Sequence, residues 1–151
     1  MEPAATLALI GAGGFFLVGL LTGTWRAVVA LRSPVAEARR YVILAHRASL
    51  QYSFAAIVLF ELARFSRWTA PVNLASVATL LGFFAMATAT YIVHAALGDT
   101  DNQFRQPYQI GEASIPAWLF RPAVWLLAVA EVAGFAVLLV GALRRLVTGG
   151  G

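Results

Sequence analysis

The sequence predicts an all-α fold: a bundle of four helices that spans a membrane. Of the 151 residues, 60% are hydrophobic and 12% are charged, whereas a soluble domain carries about 25% charged residues. The mean hydropathy is +0.78. The chain also contains four apolar runs, and each is long enough for the roughly 20 residues that cross a bilayer as a helix. We therefore expect a single integral membrane domain over residues 1–151.

The predicted spans cover residues 5–31, 41–63, 71–97 and 117–143. Pro34, Pro71 and Pro107 mark the connections, because proline and the residue before it disfavour the helix interior. The first residues, MEPAAT, contain Glu2 but no basic residue, unlike the start of a signal peptide. The first run is therefore predicted to be a retained helix. Helices are expected because the backbone in lipid must satisfy its own hydrogen bonds.

Four spans place both termini and the loop 64–70 at one end of the bundle, which we name side A. The loops 32–40 and 98–116 lie at the other end, side B. All 11 basic residues are arginine, and they divide almost equally between the two ends, so the positive-inside rule predicts no orientation. Lipid headgroups are their expected partner, and no nucleic-acid partner is predicted. The chain has no cysteine, which excludes disulfides, thiolate metal sites and covalently attached haem.

Polar side chains gather at side B, and they are the candidates for a functional site. Ionisable groups inside a membrane are costly and usually serve function. His46 is predicted to lie about 7–8 Å inside the second helix, deeper than anchoring requires, so we expect it to be a ligand or a catalytic group. The residues predicted to gather there are Arg26, His46, Arg47, Tyr52, Tyr91, His94, Asp99, Asp101 and Asn102.

Each neighbour of His46 also has a structural interpretation. Tyr52 and Tyr91 could belong to an interfacial aromatic belt, His94 could support the site rather than form it, and Arg47 could extend to the headgroups. Gly19 and Gly23 form a small-xxx-small pair, which suits either an internal helix contact or an oligomer contact.

Glu131 lies near the middle of the fourth predicted span, in LLAVAEVAGF. A bare carboxylate at that depth is expensive, so it is expected to be protonated or paired. Arg26 and Arg47 are the possible partners by depth. A structural ion pair and a functional acid both remain open.

Two histidines on adjacent helices are compatible with three kinds of site. A bis-histidine haem would need His46 and His94 at matching depth. A zinc site would usually need a third ligand, which only acidic residues could supply. A haem held by one histidine would leave its other face open for a substrate. The residues alone do not choose among these sites.

Three short motifs are similar, in their order and spacing, to those of a known family. They are Ala45-His46, Tyr91 and Asn102-Gln103-Phe104. With this length and span count, the chain resembles the styrene oxide isomerases, small four-span bacterial membrane enzymes. In that family the histidine of the Ala-His pair ligates haem b at a subunit interface of a trimer. The resemblance therefore implies His46 as the iron ligand, a homo-oligomer, and a location in the bacterial inner membrane.

The resemblance also implies a reaction. Ferric haem b acts as a Lewis acid on an apolar, aryl-type epoxide, and a hydride shift then gives an aldehyde. Tyr91 and Tyr52 are the candidate hydrogen-bond donors to the developing alkoxide. His94, Asn102, Arg47 and Glu131 are candidates for supporting or alternative roles.

The chain departs from the family pattern at several positions. Tyr52 occupies a position where the family has asparagine, and Arg47, Ala48 and Ser49 replace a turn with glycine and proline. Glu131 has no counterpart in the family. Two other functions therefore stay open: a haem b electron-transfer or sensor subunit that uses both histidines, and a non-enzymatic membrane bundle such as an assembly factor.

Overall fold

The protein folds into four long helices joined by three connections, as seen in a computed structural model that describes residues 1–147. Helices α1 (Pro3–Arg32), α2 (Arg40–Phe65), α3 (Ala70–Leu97) and α4 (Ala117–Val147) match the predicted spans, and most extend them by a few residues. All four are long and apolar enough to cross a membrane. The all-α prediction is thereby confirmed; the last residues of the predicted domain, 148–151, lie outside the described residues.

A short hairpin in the third connection was not predicted. Strand β1 (Tyr108–Ile110) pairs antiparallel with β2 (Ala113–Ile115), and Tyr108 lies opposite Ile115. Gly111 has φ 60°, the conformation that a two-residue hairpin turn requires at its first central position. Two strands of three residues each are too short to show periodicity, so the sequence indicated only a polar loop there.

Small residues allow α1 to pack closely against its neighbouring helices. Ala4, Ala8 and Ala12 are buried at four-residue intervals along α1, the spacing that allows close helix approach. Further along, a Cβ atom on Gly19 would lie 2.5 Å from Leu50 Cδ2, and one on Gly23 would lie 2.8 Å from His46 Cε1. The glycine pair therefore serves an internal contact between α1 and α2.

Hydrogen bonds confirm which segments share side A. Asn73 Nδ2 donates to Glu2 Oε1 at 3.1 Å, which ties the start of α3 to the start of the chain. Trp68 Nε1 donates to the Val137 carbonyl at 2.7 Å, and this bond joins the loop before α3 to the last part of α4. Both bonds lie at the end predicted for the N-terminus and the loop 64–70.

The outer surface of the helices is apolar. Six large apolar side chains illustrate it, each more than half exposed: Leu17, Leu21, Phe54, Trp118, Trp125 and Val132. Soluble monomers rarely expose contiguous apolar patches of more than a few hundred Å². This surface is what a bundle embedded in lipid requires.

We predict that Ser53→Ala lowers stability by about 0.5–1 kcal/mol. Ser53 Oγ donates to the Ala12 carbonyl at 2.9 Å in the buried contact between α1 and α2, so the substitution removes an interhelical bond. Thermal unfolding in detergent measures the change. Thr24→Ala is the control, because the exposed Thr24 hydroxyl donates within its own helix, to the Leu20 carbonyl. Equal losses in both variants would contradict the assignment.

Candidate functional site

The chain reverses direction at the end of α3, and this turn creates a buried polar pair. Gly98 adopts the left-handed conformation, with φ 63°, which glycine tolerates and which commonly ends helices. Its N–H donates to the His94 carbonyl at 2.8 Å. The turn brings Asp99 back to His94, and Asp99 Oδ1 lies 2.8 Å from His94 Nδ1.

The Asp99–His94 pair is almost fully enclosed: the two side chains are 8% and 2% exposed, respectively. Asp99 Oδ2 accepts a second hydrogen bond, from the Gly111 N–H of the hairpin, at 2.6 Å. Burial by itself raises the pKa of Asp99, but the hydrogen bonds from Gly111 and His94 outweigh it and hold that pKa below its usual value of 3.8. The ionised carboxylate therefore links the end of α3 to the hairpin.

Tyr41, in the first turn of α2, organises the same end. Its ring centroid lies 5.0 Å from that of His94 and 6.0 Å from that of Tyr91. Its hydroxyl accepts a hydrogen bond from the Gln103 N–H at 2.6 Å. One buried phenol thus fixes the orientation of the imidazole and the position of the loop.

Of these residues, Tyr91, His94 and Gln103 line a cavity of about 300 Å³ between α2, α3, α4 and the hairpin. Most of its lining is apolar or aromatic. The lining side chains with a polar or ionisable group are Tyr52, Thr90, Tyr91, His94, Gln103, Tyr108, Gln109 and Glu131. Among them, Gln103 Oε1 is buried and has no hydrogen-bond partner in the described part of the chain. An apolar cavity with a few polar groups is the usual form of a small-molecule site.

Tyr52 and Tyr91, the predicted catalytic residues, both line this cavity. Tyr52 stacks on Phe84 with ring centroids 4.3 Å apart, which fixes its orientation. The two phenols also line a second depression of about 300 Å³, together with Arg47 and Gln51. The pair therefore borders two depressions.

His46 lies on a different face of α2. Its Nδ1 is 2.8 Å from the Gly19 carbonyl of α1, and its half-buried ring packs beside Gly23. His46 and Tyr52 are six residues apart, which places them about 120° apart around the helix. His46 does not line the cavity that contains His94. The structure thus brings His94 together with the tyrosines and leaves His46 against α1.

Glu131 lines the cavity. In the described chain it is not paired with Arg26 or Arg47, the two arginines at a suitable depth along their helices. Within residues 1–147, ion pairs join Arg64 to Glu61 and His94 to Asp99, and none joins Glu131 to Arg26 or Arg47. The expectation of a structural ion pair with either arginine is therefore not supported. Glu131 instead shares the lining of the cavity with Tyr52 and Tyr91.

The remaining candidates have local roles. Asn102 Oδ1 accepts the Phe104 N–H at 3.0 Å, and the Asn102 N–H donates to Thr100 Oγ1 at 3.0 Å. Asn102 thus shapes the loop that presents Gln103 and Phe104 to the cavity. Arg47 is exposed. No group of three or more His, Cys, Asp or Glu side chains that could hold a metal ion occurs in the described chain, so a zinc site of the kind considered above finds no third ligand.

Comparison with known proteins gives no relative: no family model, curated protein or solved structure matches the chain.

Sequence reasoning underrated three residues of this end: Tyr41, Asp99 and Gln103. Tyr41 is indistinguishable in sequence from an interfacial aromatic residue, and Gln103 was noticed only within Asn102-Gln103-Phe104. A usable signal did exist for Asp99. It directly follows Gly98, and a glycine that ends a helix returns the next residue toward the last turn.

We predict that Asp99→Asn destabilises the protein at pH 7 by about 1.5–3 kcal/mol, the range for hydrogen bonds to a charged group. The folded-state pKa of Asp99 lies below 3.8, so its stabilisation is complete above that pH and is lost as the pH falls through the folded-state pKa. Thermal unfolding should therefore show a gap between parent and variant at pH 7 that narrows below pH 3.8.

Asp101→Asn is the matched control, because Asp101 is an exposed acid two residues further along the same loop. A gap of the same size and pH dependence in that control would show that loop charge in general, rather than the buried pair, is responsible.

Proposed function

We propose that this protein is a multi-pass membrane enzyme of the bacterial inner membrane that isomerises an apolar epoxide to an aldehyde with haem b held by His46. The apolar outer surface of the four helices supports the membrane location. The resemblance of Ala45-His46, Tyr91 and Asn102-Gln103-Phe104 to the styrene oxide isomerases supports the reaction and the cofactor.

The observation that carries the proposal is the hydrogen bond of His46. Its Nδ1 is engaged by the Gly19 carbonyl at 2.8 Å, so Nδ1 carries the proton and Nε2 keeps a free lone pair. Metal-ligating histidines are usually oriented in this way, through the nitrogen that does not bind the metal. Gly23 provides room for the ring, since a Cβ there would collide with it. These residues therefore fit a histidine that would hold the haem iron through Nε2.

When bound, haem b supplies a Lewis-acidic iron for the epoxide oxygen. The chain's own residues do the rest. Tyr91 and Tyr52 can donate hydrogen bonds to the oxygen that gains negative charge, and stacking of Tyr52 on Phe84 limits its movement. The apolar lining of the cavity excludes water from most of the substrate and accepts a molecule that partitions into the bilayer.

The position of His46 supports an oligomeric site. Because His46 and Tyr52 lie on different faces of α2, and Tyr91 lies on α3 beside Tyr52, one copy does not present His46 and the tyrosines to a single cavity. The depression beside Arg47 and Gln51 leaves Tyr52 and Tyr91 accessible from outside the copy. We infer that the iron ligand and the phenols of one site come from neighbouring copies, as the trimer implied by the resemblance would allow.

The alternatives find less support. A bis-histidine electron-transfer or sensor site needs both imidazoles on one haem, but His46 contacts α1 whereas His94 is held by Asp99 and Tyr41. A purely structural bundle leaves unexplained why an apolar cavity contains polar side chains such as Gln103, whose amide oxygen has no partner among the described residues.

We predict that the purified protein shows a Soret band, which His46→Ala abolishes and His94→Ala retains. The reason is that the half-buried His46 can present Nε2 to a haem beside α1, whereas the His94 side chain is enclosed, at 2% exposed, next to Asp99. Absorption spectra and haem content per chain after haem loading measure this outcome. Loss of haem in the His94 variant with retention in the His46 variant would refute the assignment.

For activity, we predict that Tyr91→Phe slows conversion of aryl epoxides to aldehydes about 10²–10³-fold, the effect of losing one oxyanion donor, while the haem spectrum is unchanged. His46→Ala should be inactive. Tyr52→Asn should change which epoxides react rather than abolish turnover. Gas chromatography of the aldehyde products measures all three variants.

Co-assembly of the His46→Ala and Tyr91→Phe chains, each with a different tag, tests whether the site is shared. Mixed oligomers purified through both tags should regain part of the parent activity, because some interfaces then combine an intact His46 with an intact Tyr91. Mixed oligomers as inactive as the separate variants would show that each site lies within one copy.

A further inference from the structure

Two hydrogen-bond acceptors belong to residues that line the cavity near the hairpin. His94 donates its Nδ1 proton to Asp99 Oδ1, so in the neutral imidazole Nε2 is an acceptor, and no hydrogen bond to it occurs among the described residues. Gln103 Oε1 is the second, a buried oxygen without a partner in the part of the chain that the structure describes. An unpaired buried polar atom is costly, which indicates that another group satisfies it.

Both acceptors are held in place by their neighbours. Asp99 fixes the imidazole from one side and the Tyr41 ring packs against it from another. The Tyr41 hydroxyl holds the backbone of Gln103 at 2.6 Å. The same phenol thus holds both residues in place before any ligand binds. The His94 side chain is also almost fully buried, at 2% exposed.

A water molecule matches this pair, because it has two O–H donors and buried waters occupy sites with two to four polar partners. A water in the cavity that donates to His94 Nε2 keeps its oxygen lone pairs free for a molecule in the rest of the cavity. A histidine oriented by a carboxylate is the arrangement that removes a proton from an attacking nucleophile. The site therefore positions a water and can deprotonate it.

A proton donor stands beside this water site. Tyr91 precedes His94 by three residues on α3, so the two side chains share a helix face with a rise of about 4.5 Å between them. Both line the cavity. An electrophile lying along this face can meet the water at His94 while its leaving oxygen meets the Tyr91 hydroxyl.

We propose that Asp99, His94, Gln103 and Tyr91 form a site that adds water to an apolar epoxide and yields a vicinal diol without haem. In this step an O–H bond of water breaks and its proton passes to His94 Nε2. The water oxygen forms a bond to one ring carbon, and the bond from that carbon to the ring oxygen breaks. The ring oxygen takes the Tyr91 proton, and the proton on His94 restores the phenol through solvent.

A strained ring ether fits this site better than an ester or amide does. Hydrolysis of an acyl group needs donors for a carbonyl oxyanion, which backbone N–H groups commonly supply. The walls here are mostly helices, whose N–H groups are bonded within the helices, so the side chains are the available donors. Ring opening needs one base and one acid, and His94 and Tyr91 supply them. Nothing leaves the substrate, so all atoms are retained in the diol.

This inference rests on the substrate class of the proposed function, an apolar epoxide, and not on its cofactor. The two activities are distinguishable by their products and by their need for haem. An aldehyde that forms only with haem reports the isomerase. A diol that forms with or without haem, and that carries oxygen from solvent, reports the His94 site.

The experiment uses the full chain in detergent, prepared haem-free and haem-loaded, with styrene oxide in H₂¹⁸O. Diol containing one ¹⁸O should form in both preparations, above the rate without protein. His94→Ala should lower the diol rate about 10²–10⁴-fold, the contribution of a general base, and added imidazole should restore part of it. Gln103→Met should also lower the rate, whereas Gln103→Glu, which keeps an acceptor, should retain more.

Thr24→Ala is the control for substitution as such, since Thr24 is exposed on α1, and thermal unfolding of every variant checks that it is folded. A folded His94→Ala protein with the parent diol rate would overturn the proposal. So would the absence of labelled diol from the haem-free parent, even if the haem-loaded protein makes aldehyde. Labelled diol without any aldehyde would support this site and refute the proposed isomerase.

Discussion

The buried contact between Asp99 and His94 is the constraint on which the functional end of the bundle depends. It joins the last turn of α3 to the loop that follows, and through Gly111 it also holds the hairpin. Neither partner could be enclosed alone, since a buried charge or an unpaired polar group is costly. The pair therefore explains why a loop rich in polar residues packs closely over apolar helices instead of extending into solvent.

The candidate functional residues of α2 lie on two different faces of that helix. One face turns His46 toward Gly19 and Gly23 of α1, and the other turns Tyr41 and Tyr52 toward α3. The same helix can thus contribute to two binding sites. One would lie between α1 and a neighbouring copy, and the other would be the cavity. Small residues on α1 permit the first arrangement, because a larger side chain at Gly23 would displace the imidazole.

Residues with a helical period were the most predictable from sequence. Ser53 follows His46 by seven residues, so the two share one face of α2, and both contact α1, through the carbonyls of Gly19 and Ala12. Partners across the bundle were less predictable. Glu131 was matched with arginines by depth, yet depth along a helix does not tell which way a side chain points around it. The hairpin was missed because its pairing depends on the Gly111 turn and on Asp99.

The sequence by itself determined the four helices, their approximate ends, and the polar end of the bundle, because these follow from hydropathy, proline positions and the cost of ionisable groups in an apolar run. Only the tertiary structure decided which polar groups meet. It placed His94 with Asp99, Tyr41 and Gln103 beside a cavity, and it set His46 apart against α1. The physical reason is that helix rotation and the return of the chain after Gly98 arise from packing between segments, which local sequence does not encode.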